Sequence, residues 1–345
     1  MSNHGLNSIT LLVSVASVSI ISLCATSSAY SAGVEDFYKK RNMSFIIGYS
    51  AGGGYDIYAR LLAKHMGRNI PGAPTITPQN MPGAGSLKAA GYLADVAVKD
   101  GSVIGTFGRG IPLAPLLDDA KFDGTKMTWI GSITEDVSLC LSWHTSKVQS
   151  WNDMLSKPYT VGGEGSTSDP DVFARLIKNV FHADIRLVTG YPGTKDIGLA
   201  MERGEVDGLC GISYSTVKSG YRKQLAEKKI NILVQAALKK DPDLPNVPLL
   251  IDQAKPDQLE VLKLMLAPQV MARPIAAPPN IPADRKEALR KAFDETMKDR
   301  EFLAEAKKIN LDINPTGGAE IEKIVKDLYA TPKDVIEKAK HAVRD

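Results

Sequence analysis

The chain has 345 residues, of which 43% are apolar and 23% charged, with a formal net charge of +3. That composition excludes a disordered or fibrous chain, and the length suits two lobes of roughly 100 to 200 residues each better than one core. Lys and Arg are interleaved with Asp and Glu, as from Lys286 to Lys308, so no nucleic-acid footprint follows.

No Asp, Glu, Lys or Arg precedes Glu35, and Ile9 to Cys24 is apolar with interspersed serines. Residues 1–32 therefore read as a cleavable secretory signal peptide, too short and serine-rich for a span of about 20 apolar residues, with small residues at Ala29, Ser31 and Ala32 to be cut. A lipid-modified Cys24 is the minor reading, because Leu23 is bulky where a small residue is wanted. Cleavage would leave a soluble periplasmic protein with Cys140 and Cys210. These two form one disulfide or remain two buried thiols, and their apolar, strand-like settings (Ser138 to Trp143; Val206 to Ile212) slightly favour thiols. The five histidines are scattered and no Cys/His spacing suits zinc, so neither a metal nor a cofactor is expected.

In chain order, the apolar run Ser44 to Tyr49 leads through Ser50 to Asp56 into a segment of helical spacing (Ile57, Leu61, Met66): strand, glycine loop, helix. A second loop, Asn80 to Ser86, precedes a helix-like stretch through Leu87, Ala90 and Leu93, and Ser102 to Phe107 reads as a buried strand. The pattern recurs after Trp143. Strand-like Tyr159 to Gly163 runs into Glu164 to Ser168 and a helix through Val172, Leu176 and Val180. Ile185 to Val188 then meets Gly190 to Thr194 and a helix over Ile197 to Glu202, followed by strands at Val206 to Ile212 and Ile230 to Val234. The rest is proline-rich from Asp241 to Pro248, punctuated at Ala276 to Asn280, and helical over Ile281 to Lys307 and Ile321 to Ala330. Serial βα units predict an α/β fold of two lobes, each a mainly parallel sheet flanked by helices. Lobe 1 takes residues 33–136 and 236–345, and lobe 2 takes 137–235.

Four glycine turns stand between a strand and a helix, where unsatisfied amides and the helix dipole favour negative charge. Their residues are the candidate ligand-binding set: Tyr49, Ser50, Gly52, Gly53, Gly54, Tyr55 and Asp56 in the first turn, and Gly85 in the second. The other lobe contributes Gly163, Gly165, Ser166, Thr167 and Ser168, then Tyr191, Pro192, Gly193 and Thr194. Each turn taken singly is equally an ordinary βα connection. Arg109, beside Gly110 at the end of a strand, offers a planar donor fork to a carboxylate or is a solvated surface arginine. Asp56 reads as a cap or an acceptor for loop amides. Phosphate-loop and dinucleotide fingerprints are absent, as is a Gly-x-Ser-x-Gly elbow, and Glu164 and Asp169 near one turn do not make a catalytic set.

The runs GYSAGGGYDIYAR (48–60), QNMPGAG (79–85), VTGYPG (188–193) with AMERGEVDG (200–208), and LPNVP (244–248) resemble the substrate receptors of the tripartite tricarboxylate transporters, over nearly the whole mature chain. The resemblance implies a Venus-flytrap fold in which the turns at Ser50 to Asp56, Gly163 to Ser168 and Tyr191 to Thr194 close over a carboxylate. It also implies a monomer that docks on a membrane permease with a large and a small subunit. Departures bear on which acid is bound: Tyr49-Ser-Ala51 stands where Pro-Phe-Pro-Pro is frequent, Asp169-Pro170 where a histidine is frequent, and Arg109 in a loop commonly uncharged. The expected function is capture of a small organic acid without catalysis. The rivals are a receptor feeding a sensor kinase and an α/β enzyme acting on an acid. A β-branched side chain at Gly53 or Gly165 is expected to spare the fold and abolish binding.

Overall fold

The structure is a computed structural model and describes residues 33–118 and 120–344. The expected signal peptide lies outside the described residues. Among the described residues no helix is long and apolar enough to cross a membrane.

Eleven strands form two sheets. In chain order they are β1 Asn42–Ile47, β2 Thr75–Asn80, β3 Val103–Thr106, β4 Thr128–Ser132, β5 Ser138–Trp143, β6 Tyr159–Gly162, β7 Ile185–Val188, β8 Gly208–Ser213, β9 Ile230–Ala236, β10 Pro274–Ala277 and β11 Thr316–Gly317. One sheet has the order β11-β4-β10-β3-β1-β2 and the other β7-β6-β8-β5-β9. The chain passes between them twice, after β4 and again between β9 and β10.

Strands β3, β4 and β8 are buried at every position, without the alternation of a half-solvated strand, because helices cover both faces of their sheets. Edge strand β2 alternates and carries Pro78, which an edge tolerates. The sheets are mixed rather than mainly parallel. β2, β1 and β3 run parallel, as do β7, β6 and β8, but β10 is antiparallel to β3 and β4, and β5 to β8 and β9. β5 and β10, which run against their neighbours, are the first strands after the two crossings, and β11 is likewise antiparallel to β4. The long C-terminal helical reading divides into helices Ala283–Thr296 and Arg300–Lys308, because the Asp299 side chain caps the second by accepting from Glu301 N and Phe302 N, both at 2.9 Å.

The reading of Cys140 and Cys210 as two thiols is overturned, since the structure joins them in a disulfide with Cα atoms 3.9 Å apart. Both are fully buried in strands, as expected, but those strands are antiparallel neighbours whose register is irregular between Leu139 and Leu141. Gly211, at φ +78°, absorbs the irregularity. The bond spans 70 residues of sequence. Replacing both cysteines by alanine should therefore cost about 2–4 kcal/mol in urea unfolding, and reductant should shift the wild-type midpoint but not that of the double variant. An unshifted wild-type midpoint would show that the bond does not constrain the chain.

Candidate ligand site between the lobes

Parallel strands deliver their following loops to one end of each sheet, and the structure brings these ends face to face. The glycine loops meet each other directly. Gly85 N donates to Glu164 O at 3.1 Å and Ser50 N to Pro192 O at 3.2 Å. Thr167 Oγ1 donates to Ala84 O at 3.2 Å, Ser50 Oγ to Asp196 Oδ2 at 2.7 Å and Ser166 Oγ to Asp118 Oδ2 at 2.9 Å. Hydroxyls expected to serve a ligand thus join the lobes. The fit requires glycine, because a β-carbon on Gly165, at φ +143°, would fall 2.5 Å from the Gly85 nitrogen.

Two buried aspartates hold the loops in shape. Asp171, on helix Asp169–Phe181, accepts from Glu164 N at 2.6 Å, Gly165 N at 3.0 Å, Ser168 Oγ at 3.0 Å and Thr189 Oγ1 at 2.5 Å. Asp56 accepts from Gly52 N at 2.8 Å, Asn80 Nδ2 at 2.8 Å and Arg60 Nε at 2.9 Å, the loop-bracing role expected of it. Burial opposes its ionisation, but these bonds outweigh burial and hold its pKa below the usual carboxylate range. Helix Gly54–Met66 begins at Gly53 without a side-chain cap. Among the described residues the Gly53 and Gly54 amides have no acceptor within reach.

Behind that helix start lies a pair of buried arginines. Arg109 is 1% exposed, which removes the surface reading. Its Nε lies 2.8 Å from Asp169 Oδ2, its Nη1 donates to Gln269 Oε1 at 2.7 Å, and its Nη2 donates to Ser213 Oγ. Its two terminal nitrogens are therefore engaged by the protein's own groups, while its Nε, beside the Asp169 carboxylate, makes no hydrogen bond. Arg273, just before β10, donates to Ser213 Oγ at 2.9 Å, Ala272 O at 2.8 Å, Ser215 Oγ at 3.2 Å and Thr216 Oγ1 at 2.9 Å, and lies 3.9 Å from Asp136 Oδ2. Its guanidinium sits 4.6 Å from the Tyr55 ring centroid and 4.9 Å from that of Tyr58, and Tyr55 stacks on Tyr49 at 4.6 Å. The Arg273 Nε has no hydrogen-bond partner. Burial lifts the pKa values of Asp136 and Asp169 in spite of these arginines, and lifts Glu164 much further, its nearest charges being Asp171, Asp169 and Asp196.

These groups enclose a small inner cavity of about 30 Å³. Of the expected residues, Tyr49, Gly53, Gly54, Tyr55, Arg109, Gly193 and Thr194 line it. Gly110, Ser166 and Thr167 instead line a neighbouring outer cavity of about 460 Å³, which shares Asp169 with the inner one. Ser50, Asp56, Gly85, Gly163, Gly165 and Ser168 brace or join the loops, and Gly52 faces Lys195. Tyr191 and Pro192 lie half-buried and exposed at the rim, outside both cavities. The sequence reading missed Arg273, Ser213 and Thr216 and set Glu164 and Asp169 aside, although all five line the inner cavity. Elsewhere His65, Asp299 and Glu301 stand close enough to hold a metal, but Arg68 already bridges the two acids at 2.6 Å each.

No protein-family model and no curated protein matches the sequence. Solved structures do match: the periplasmic binding protein BugD superposes with a TM-score of 0.71 over 88% of this chain and 98% of its own, at 18% identity. The fold is that of a periplasmic binding protein. MatC of Rhodopseudomonas palustris, solved with malate, gives 0.68 over 86% and 99% at 20% identity, and Rpa4515 of the same organism, solved with adipate, gives 0.68 over 87% and 97% at 18%. In this periplasmic-binding fold the two sheets are the two lobes, and the arginine pair lies where they meet.

Arg273→Met would leave Asp136 buried beside no neighbouring arginine but Arg109, at an expected cost of about 3–5 kcal/mol in urea unfolding. A cost near zero would remove the pair from the structural core of the junction. Glu164 has a folded pKa above its unfolded value, so the folded state holds the proton more tightly. Its contribution to stability is greatest at or below the ordinary carboxylate pKa and declines as pH rises from there towards the raised value. Unfolding free energy should therefore fall over that window, and Glu164→Gln should flatten the fall. An equal slope in both proteins would place the titration elsewhere.

Proposed function

We propose that this chain is an exported, periplasmic solute receptor that captures a small organic acid between its lobes and delivers it to a membrane permease with a large and a small subunit. The observation that carries the reading is the convergence on one cavity of an uncapped helix start at Gly53 and Gly54 and a buried pair of arginines, all from the first sheet, facing Glu164, Asp169 and Ser213 from the second. Amide donors and guanidinium groups are the chemistry that replaces the water around a carboxylate. The fold shared with BugD, MatC and Rpa4515, and the malate and adipate solved with the latter two, support an acid as the solute.

Binding is by closure and forms no covalent bond. The inner cavity has about 30 Å³, roughly the share of liquid volume of one water, so the lobes part to admit a solute and close again around its head group. The residues that close the lobes, Ser50, Gly85, Gly165 and Thr167, act on affinity by setting the closed state, while Gly53, Gly54, Tyr55, Arg109 and Arg273 face the solute. The receptor works as a monomer, and the permease reads its closed form.

Gly165→Val separates these roles. The β-carbon meets the Gly85 backbone, so the variant should fold, stay open and lose binding, with a larger radius of gyration by X-ray scattering. At Gly53 a β-carbon has only Ser50 O at 3.7 Å, so Gly53→Ala should keep the closed dimensions. A thermal-shift screen of di- and tricarboxylic, aromatic and amino acids supplies the ligand, since a solute that binds only the folded state raises the melting temperature. Failure of every acid to do so overturns the reading, and an unchanged affinity in Gly165→Val overturns the closure mechanism.

A further inference from the structure

Two unlike sets of groups line the inner cavity. One set is the guanidinium groups of Arg109 and Arg273, each with a buried Nε that makes no hydrogen bond, and the acceptor-free amides of Gly53 and Gly54. The other is Glu164, 6% exposed, which lines the cavity and is paired with no cation among the described residues. The Thr194 backbone N–H, at the start of helix Thr194–Glu202, is the group that favours its ionised form. Every charge acting strongly on it is negative: Asp171 and Asp169 from helix Asp169–Phe181, and Asp196 from the helix that Thr194 begins. Tyr49 also lines the cavity, Tyr221 Oη donates to Thr194 O at 2.8 Å, and burial lifts the pKa values of both. Lys195, on the same helix as Asp196, lies against Gly52.

A plain carboxylate does not suit this arrangement. Arg109 and Arg273 are already matched by Asp169 and Asp136, so a lone carboxylate would find no free cation and would leave Glu164 without one as well. A solute carrying its own cation next to its carboxylate gives Glu164 a partner. Resting on the reading of the cleft as an acid-binding site, we infer that the solute is a zwitterion, an acid with an ammonium group on the carbon beside its carboxylate, whose ammonium is held by Glu164 and whose carboxylate faces Gly53, Gly54 and Arg273.

The step balances simply. Before binding, burial among acids raises the Glu164 pKa and favours its protonated form. The incoming ammonium favours its carboxylate form, so Glu164 gives up its proton to solvent as the ion pair forms, and no other bond is made or broken.

The experiment compares matched acids by titration calorimetry on the mature wild-type chain: aspartate, malate and succinate; glutamate, 2-hydroxyglutarate and glutarate; alanine, lactate and propionate. In at least one set the amino member should bind about tenfold or more tightly than its hydroxy and unsubstituted counterparts, as expected of a charged hydrogen bond out of water. Its apparent enthalpy at neutral pH should vary with the ionisation enthalpy of the buffer, reporting about one proton released. Glu164→Gln, nearly the same shape, should narrow the preference to about twofold and abolish the release. If that variant does not fold, the proton release of the wild type decides. Equal or tighter binding of the unsubstituted acids, or proton uptake, overturns the zwitterion while leaving acid capture intact. Silence from all nine acids together with the wider acid screen overturns acid capture and this inference with it.

Discussion

Two guanidinium groups buried at the junction of two lobes constrain everything around them. A cation out of water must be met by an anion or by acceptors, and Arg109 and Arg273 each have a carboxylate nearby and acceptors for their terminal nitrogens, though neither Nε makes a hydrogen bond. Asp169 reaches Arg109 from the far lobe, Asp136 lies beside Arg273 in the first crossing, and the hydroxyl of Ser213 accepts from both arginines. The crossings, the helix starts and the end of β8 are thereby fixed relative to one another. Tyr55 and Tyr58 close the remaining side of Arg273 with their ring faces.

Around this junction most polar groups of the glycine loops are engaged with protein. Asp171 gathers the amides of Glu164 and Gly165, Asp56 gathers that of Gly52, and the serine and threonine hydroxyls cross the cleft. Glycine serves two different ends here. At Gly85 and Gly165 it is thinness, letting two backbones touch, and at Gly54 it makes room for the Thr216 hydroxyl, whereas at Gly53 it leaves the helix start open towards the cavity. Only the second kind addresses a solute directly.

Much of this was legible in the sequence where a strong local signal existed. Apolar runs ending in glycine gave β1, β3, β6 and β7 with the loops after them, and the periodicity of Val172, Leu176 and Val180 gave the helix after β6. The strands that escaped notice lack such signals. β2 has one buried apolar residue at a sheet edge, β4 has only Trp129 and Ile130 as large apolar residues among five, β10 is four residues that begin with Pro274 and precede Pro278, and β11 is two residues long. Within the site, the loop positions were visible because glycine between strand and helix has a physical meaning. Arg273 was not, because nothing near Met271 to Pro274 tells a buried arginine from a surface one, and its burial is decided by the return of the chain to the first sheet. The cysteines show the same limit. Their strand-like surroundings were right, but that β5 and β8 are neighbours is a fact of topology.

The contact between the Gly85 and Gly165 backbones, with the bonds that accompany it, also bears on time. With the lobes joined loop to loop, a solute cannot reach the inner cavity by diffusion alone and must wait for them to part. Capture is then gated: at high solute concentration its rate levels off at the rate of opening, and release is slowed by the same barrier. Under the proposed function, such a gate trades speed of sampling for residence, so that a solute once enclosed would stay long enough for the closed shape to be read by whatever it meets.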